Sequence, residues 1–324
     1  MNNKGFEFSF GWLFAIIVGA AVLFLAIYAS TKFISTEQTI TNTEAGQSVG
    51  AILSPFETSL ESSTVNVVST GVPTRIYFNC SNANTGGQTG KTFGKQLIQV
   101  SVSSGLGVKW PEPGIANVFY NKYVFAQNMT EDSKKFYVLS VPFNYPYKVA
   151  DLQIVFSDKQ NYCFINAPQD VKNTLNSTYI PTVQLVSSSS ECRSGSKRVC
   201  FVSSGCDIDV TLNSNSVKKN GQTLYYESPE LEGNALMYGA IFADTKTYEC
   251  QVQRLGKRIS ILGQVYQDKN SLISGAGCGS NLITELAALQ SGAETITSSI
   301  DLRPLGSKAK EVRDKNEVQT CKLF

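Results

Sequence analysis

The cysteines are the residues of this chain whose number and spacing could do chemistry. There are eight, and they are Cys80, Cys163, Cys192, Cys200, Cys206, Cys250, Cys278 and Cys321. Zinc sites usually contain cysteines two to four residues apart, often together with histidine. The spacings here are wider than that, and the chain has no histidine. We therefore predict disulfide bonds and no metal site.

The pairing of these cysteines is not fixed by the sequence, because eight cysteines allow about 105 connectivities. A working assignment joins Cys80 with Cys163 within the strand-rich part of the chain, and Cys278 with Cys321 between helices near the C-terminus. The remaining four cysteines are then expected to pair locally, and these are Cys192, Cys200, Cys206 and Cys250.

Acidic residues offer a second possible chemistry. The absence of histidine excludes Ser-His-Asp and Cys-His mechanisms, but a pair of carboxylates can act alone in glycosidases. Asp207 and Asp209 alternate on a predicted strand, and Glu227, Glu230 and Glu232 cluster in a loop. Neither group lies among aromatic pocket residues, so we interpret both as solvated surface. We expect no enzyme activity and no cofactor, and keep an exported hydrolase as a third functional class.

A long uncharged stretch lies between Glu7 and Lys32. The hydrocarbon core of a bilayer needs about 20 apolar residues in a helix, whereas a signal peptide has a shorter apolar region. The sequence therefore predicts a retained transmembrane helix over residues 8–31. All eight cysteines follow it, and disulfides persist outside the cytoplasm. We expect residues 1–7 inside the cell and the body outside.

Small residues recur at every fourth position of this helix, at Gly11, Ala15 and Gly19. Such a ladder lets two membrane helices approach closely. The alternative is that glycine and alanine are simply common in membrane helices. If the ladder is used, the protein self-associates.

The rest of the chain predicts an α+β fold. We expect a helical stalk over residues 32–60, with its helix ending near Ser54 because Pro55 follows. A β-sandwich-like domain is predicted over residues 61–190, followed by a cysteine-rich α+β domain over residues 191–324 with C-terminal helices. Aromatic residues in "VFYNKYVF" and "FNYPYKV" are interpreted as core rather than as a binding platform.

Composition limits the possible partners. The net charge is +2 with 17% charged residues, which gives no electrostatic footprint for nucleic acid. Basic pairs such as Lys218-Lys219 are interpreted as solvated. Sequons at Asn79, Asn128 and Asn176 are candidates for glycosylation, although an Asn- and Ser-rich chain also produces them by chance.

Lys4-Gly5-Phe6, just before the apolar stretch, resembles the cleavage site of type IV pilin-like proteins, which are processed after a glycine. In that family a glutamate usually lies five residues past the cut, whereas here Glu7 is second and Phe10 is fifth. The layout also resembles uncharacterised single-span archaeal surface proteins, as do the segments "FSDKQNYCFINAP" and "LMYGAIFADTKTYECQVQRLGKR". This resemblance implies processing between Gly5 and Phe6 and a surface location.

These observations together predict a membrane-anchored cell-surface protein with a structural or interaction role and a disulfide-stabilised ectodomain. Its expected partners are the membrane and either further copies of itself, as in a pilin-like subunit, or other envelope proteins. The alternative is a ligand-binding or sensory ectodomain that works with a membrane partner.

Overall fold

The computed structural model describes residues 10–53, 62–82, 93–103, 110–130, 132–202, 204–227, 231, 233–275, 277–278 and 280–324. The predicted tail at residues 1–7, with the processing site at Gly5 and Phe6, lies outside the described residues. So do Glu230 and Glu232.

Helix α1 runs without a break from Phe10 to Leu53. Its 44 residues extend over about 66 Å at 1.5 Å per residue. The described part of the helix ends at Leu53, and the expected end near Ser54 lies outside the described residues. The helix is long and apolar enough to cross a membrane. A signal sequence near the N-terminus can have the same length and composition.

The second half of α1 packs against a β-sheet. Asn42 is 2% exposed; its side-chain amide donates to the Glu112 carbonyl, and its side-chain oxygen accepts from the Val102 amide, each at 2.9 Å. A Cβ atom added at Gly50 would lie 2.5 Å from the Phe119 ring, so glycine permits this close approach. Within the described part of the predicted stalk, Asn42 and the residues after it therefore pack against the body.

The first sheet contains six strands in the order β3-β2-β1-β5-β6-β4. Their bounds are β1 Thr64–Ser81, β2 Lys95–Val102, β3 Asn117–Phe119, β4 Tyr123–Phe125, β5 Ser133–Asn144 and β6 Lys148–Ser157. Neighbours are antiparallel except β4 and β6, which are parallel. The sheet is thus mixed, which differs from the expected antiparallel sandwich.

The segment after β4 returns to β1 and closes this sheet on itself. The Phe78 amide donates to the Asn128 carbonyl, and the Thr130 amide donates to the Ile76 carbonyl, each at 2.9 Å. Curling of the sheet brings together buried apolar side chains from β1, β2, β4, β5 and β6, and Val49 of α1 joins the same cluster.

The second sheet also has six strands, in the order β12-β11-β10-β9-β7-β8. Their bounds are β7 Tyr162–Ile165, β8 Val183–Val186, β9 Lys197–Cys200, β10 Ile208–Thr211, β11 Ser216–Lys219 and β12 Gln222–Tyr225. Helix α2, Gln169–Thr178, connects the parallel strands β7 and β8. The predicted boundary at residue 190 falls inside this sheet, because β7 and β8 precede it and β9 to β12 follow it.

Four helices complete the body: α3 Ala235–Phe242, α4 Thr245–Gly275, α5 Ile283–Glu294 and α6 Leu302–Glu317. Helix α3 is buried throughout. Its Phe242 ring lies 4.6 Å from Phe156 of the first sheet and 4.6 Å from Tyr162 of the second. One hydrophobic core therefore joins both sheets and the helices, and the α+β class with C-terminal helices is confirmed.

Aromatic residues of the two tyrosine-rich segments lie mainly in this core, as expected. Tyr123, Tyr145 and Tyr147 are at most 2% exposed, whereas Tyr120 is 58% exposed.

Candidate functional site

All eight cysteines are paired. Cys278 pairs with Cys321 and Cys200 with Cys206, as predicted. The expected bond between Cys80 and Cys163 was wrong, since these residues belong to different sheets. Cys80 of β1 pairs instead with Cys250 of α4, 170 residues away, and Cys163 of β7 pairs with Cys192. The prediction of local pairing was therefore wrong for both Cys192 and Cys250.

One group of potential metal ligands occurs among the described residues. Ligand atoms of Cys200, Cys206 and Asp209 lie within 4.8 Å of one another. Both sulfurs are oxidised to a disulfide, however, and metal binding requires the thiolate. Asp209 accepts hydrogen bonds from the amides of Gly205 and Cys206, so its carboxylate stabilises this turn.

The candidates for helix association all lie on the exposed half of α1. Gly11, Ala15 and Gly19 are exposed, and nothing lies within 4 Å of a Cβ atom built at Gly19. This face is open to a second helix, and its use in association stays a prediction.

The three sequons lie in different environments. Asn128 is exposed in the irregular segment after β4, Asn176 is exposed on α2, and Asn79 is half-buried on β1. Asn79 and Asn128 line one cleft of about 540 Å³ beside the start of α4. Glycosylation at these residues stays a prediction.

The two groups of acidic residues have different surroundings. Asp207 accepts from the Arg198 backbone amide at 2.8 Å and lies 3.5 Å from its guanidinium, so it is an ordinary paired surface residue. Glu227 is 1% exposed, and the interpretation as solvated surface was wrong. Its two carboxylate oxygens accept from the Leu236 amide at 2.9 and 3.1 Å. Burial raises the pKa of Glu227 to about 7, because desolvation disfavours its charged form.

Lys219 and Arg254 are buried cations that donate to carbonyl oxygens. Lys219 on β11 donates to the carbonyls of Ile241 and Ala243, and burial lowers its pKa to about 7. Arg254 on α4 is 0% exposed, and burial lowers its pKa to about 10. The sequence did not identify Lys219 and Arg254 as buried, because each lies beside another basic or polar residue, a pattern typical of solvated surface.

The acceptors of Arg254 come from segments that flank β2 and β4. Its side chain donates to the backbone carbonyls of Phe93, Lys122 and Tyr120 at 2.8–3.0 Å. It also donates to the Gln251 side chain at 2.8 Å. Arg254 therefore attaches α4 to the first sheet, which is a structural role.

A cavity of about 600 Å³ lies between α6 and the turn after β10. Cavities of this volume are typical of small-molecule sites. Tyr226 and Leu231 line one side, and Arg303 and Gly306 of α6 line the other. Sequence reasoning missed this site, because its two sides are distant in the sequence and carry no common motif.

Comparisons of the chain with protein-family models, with curated proteins and with solved structures find no match.

Proposed function

We propose that the protein is a membrane-anchored cell-surface protein with a structural or interaction role. The first half of α1 lies in the bilayer, the residues before it lie inside the cell, and the disulfide-bonded body lies outside. The protein associates with further copies of itself, as a pilin-like subunit does, or with other envelope proteins.

The contrast between the two halves of α1 carries this proposal. Every side chain from residue 10 to residue 37 is exposed, whereas Asn42, Gly46, Val49 and Gly50 are buried against the body. Apolar surface of this extent is rarely left in water. Lipid, or lipid together with a second helix, would cover it, and the body needs none of it for its own core.

The four disulfides support the outward orientation. They involve all eight cysteines, and such bonds form and persist in oxidising compartments. The exposed face at Gly11, Ala15 and Gly19 supports self-association, because small residues at this spacing allow two helices to pack closely.

The test is N-terminal sequencing and intact mass of the protein extracted from its native membrane. A chain that starts at Phe6 supports the pilin-like subunit, and an intact N-terminus supports a single-span surface protein that binds other partners. A soluble chain that lacks α1 would contradict the anchor and identify a signal sequence. Thiol alkylation before reduction should modify no cysteine; eight reactive thiols would contradict the orientation.

Self-association is tested separately by cross-linking in membranes. Replacing Gly19 with leucine should remove the cross-linked dimer, because the side chain would separate the two helices. The matched control is Val18→Leu, which changes a neighbouring residue outside the ladder. Equal cross-linking of both variants would refute the use of this face.

A ligand-binding ectodomain is the second candidate, and the cavity of about 600 Å³ beside α6 favours it. This function needs the cavity rather than the ladder, so loss of self-association would leave it intact.

A further inference from the structure

One wall of the cavity beside α6 is formed by a buried tyrosine. Tyr226 lines the cavity and is 2% exposed, and its hydroxyl has no hydrogen-bond partner among the described residues. A buried polar group without a partner is destabilising, because its hydration is lost and not replaced. This hydroxyl is also closed to a water-sized molecule, so Tyr226 forms part of the cavity wall and is not a hydrogen-bond partner for a ligand.

The same cavity has a cation without an ion pair. Arg303 lies on the cavity side of α6 and stacks on the Tyr225 ring, with 5.5 Å from its guanidinium carbon to the ring centroid. No carboxylate among the described residues lies within ion-pair distance of it. A guanidinium presents a planar fork of donors that matches a carboxylate. Arg303 is therefore available to bind an anionic group.

The other charges that line the cavity are balanced within the protein. Lys310 lies 3.0 Å from Asp314, and Lys315 pairs with Glu285 and lies 3.8 Å from Glu311. These pairs neither compete strongly for an anion nor attract one. The unbalanced positive charge of the cavity is consequently that of Arg303.

Uncharged polar groups complete the lining. Asn213 and Asn215 lie on the turn after β10, and Ser307 lies on α6. Amide and hydroxyl groups donate and accept, which suits a ligand with several hydroxyls. Val318, which is 81% exposed, adds an apolar part, against which the carbon face of a sugar ring can pack.

We propose that this cavity binds an acidic saccharide unit, with its carboxylate on Arg303 and its hydroxyls on Asn213, Asn215 and Ser307. The cavity volume of about 600 Å³ accommodates one or two sugar rings. This proposal names a ligand class for the ligand-binding candidate above and does not depend on the membrane anchor.

The experiment measures binding of D-glucuronate to the full chain in detergent micelles by saturation-transfer NMR and titration calorimetry. D-glucose is the matched neutral probe, because it differs only in the carboxylate. We expect glucuronate to bind at least tenfold more tightly than glucose. No binding of glucuronate, or equal binding of the two sugars, would overturn the proposal.

Two variants test the named residues. Arg303→Gln should weaken glucuronate binding at least tenfold, while Lys308→Gln, on the same helix but outside the cavity lining, should leave it unchanged. Tyr226→Phe should leave glucuronate binding unchanged, because the hydroxyl of this wall residue is buried and closed to a ligand. Unchanged binding by Arg303→Gln would overturn the site, whereas the anchor proposal would stand, since N-terminal sequencing tests it independently.

Discussion

The buried carboxylate of Glu227 makes the stability of the body depend on pH. Glu227 has a pKa near 7 in the folded protein and 4.5 as its reference value. The folded state therefore binds more protons than the unfolded chain between these two pH values, and stability falls as pH rises through that window. Below pH 4.5 both states are protonated at this residue, and above pH 7 neither is.

The magnitude follows from the size of this pKa difference. One pKa unit corresponds to about 1.36 kcal/mol, so Glu227 lowers the free energy of unfolding by roughly 3 kcal/mol between pH 4.5 and pH 7. Burial raises the pKa of Glu227 by more than the hydrogen bonds from the α3 amides lower it. The Glu227→Gln variant cannot titrate and keeps an oxygen acceptor for the Leu236 amide.

The assay is denaturant unfolding of the wild type and Glu227→Gln at several pH values from 4 to 8, with the disulfides intact. The difference in unfolding free energy between the two proteins isolates this residue, because other groups titrate equally in both. The Glu227→Gln variant should gain roughly 3 kcal/mol relative to the wild type as pH rises. The control Glu191→Gln, in the exposed turn Ser189–Glu191, should show a far smaller change. A difference that does not vary with pH would refute the burial argument.

Three further predictions concern the attachments between elements. Gly50→Leu should reduce the unfolding free energy by about 1–3 kcal/mol, because the leucine side chain would overlap the Phe119 ring. Gly19→Leu, in the exposed half of the helix, should have no such effect. Thermal unfolding of the two variants measures the difference. Arg254→Met should lower the unfolding free energy by roughly 3 kcal/mol, because it leaves backbone carbonyls buried without donors. Denaturant unfolding measures this loss, and an unchanged unfolding free energy would contradict the structural role. Replacing both Cys80 and Cys250 with serine should lower the unfolding free energy by roughly 5 kcal/mol, because the bond closes a long loop and restricts the unfolded chain. Replacing Cys200 and Cys206, six residues apart, should lower it less. Equal losses of unfolding free energy would argue against an entropic origin.

The elements predicted from the sequence are those that local patterns determine. These are the apolar stretch before Lys32 and the helices after residue 245, which depend on composition and periodicity within one segment. The closure of the first sheet does not, because it depends on a backbone hydrogen bond between Phe78 and Asn128, which are far apart in the sequence. The Cys80–Cys250 bond is of the same kind.

Buried ionisable residues were missed for a related reason. Glu227 lies between Tyr226 and Ser228, two residues before Pro229, and Lys219 lies beside another lysine, so the sequence predicts solvent for both. Their burial results from α3, which inserts between the sheets and places its N-terminus at Glu227 and its C-terminal carbonyls at Lys219. Partial charges at the two ends of a helix have opposite signs, and each end here meets the complementary side chain. A helix hydrophobic along its whole length signals such burial, but it does not say which polar residues go with it.

The geometry of α1 bears on the proposed self-association. Asn42, Gly46 and Gly50, which face the body, follow Gly11, Ala15 and Gly19 by 31 residues each. At 3.6 residues per turn, this separation leaves the two sets about 140° apart around the helix axis. The body therefore projects away from the small-residue face, because α1 is continuous and its second half is fixed to the sheet. The small-residue face is thus on a different side of α1 from the body, whereas a flexible linker would have left their relative orientation open.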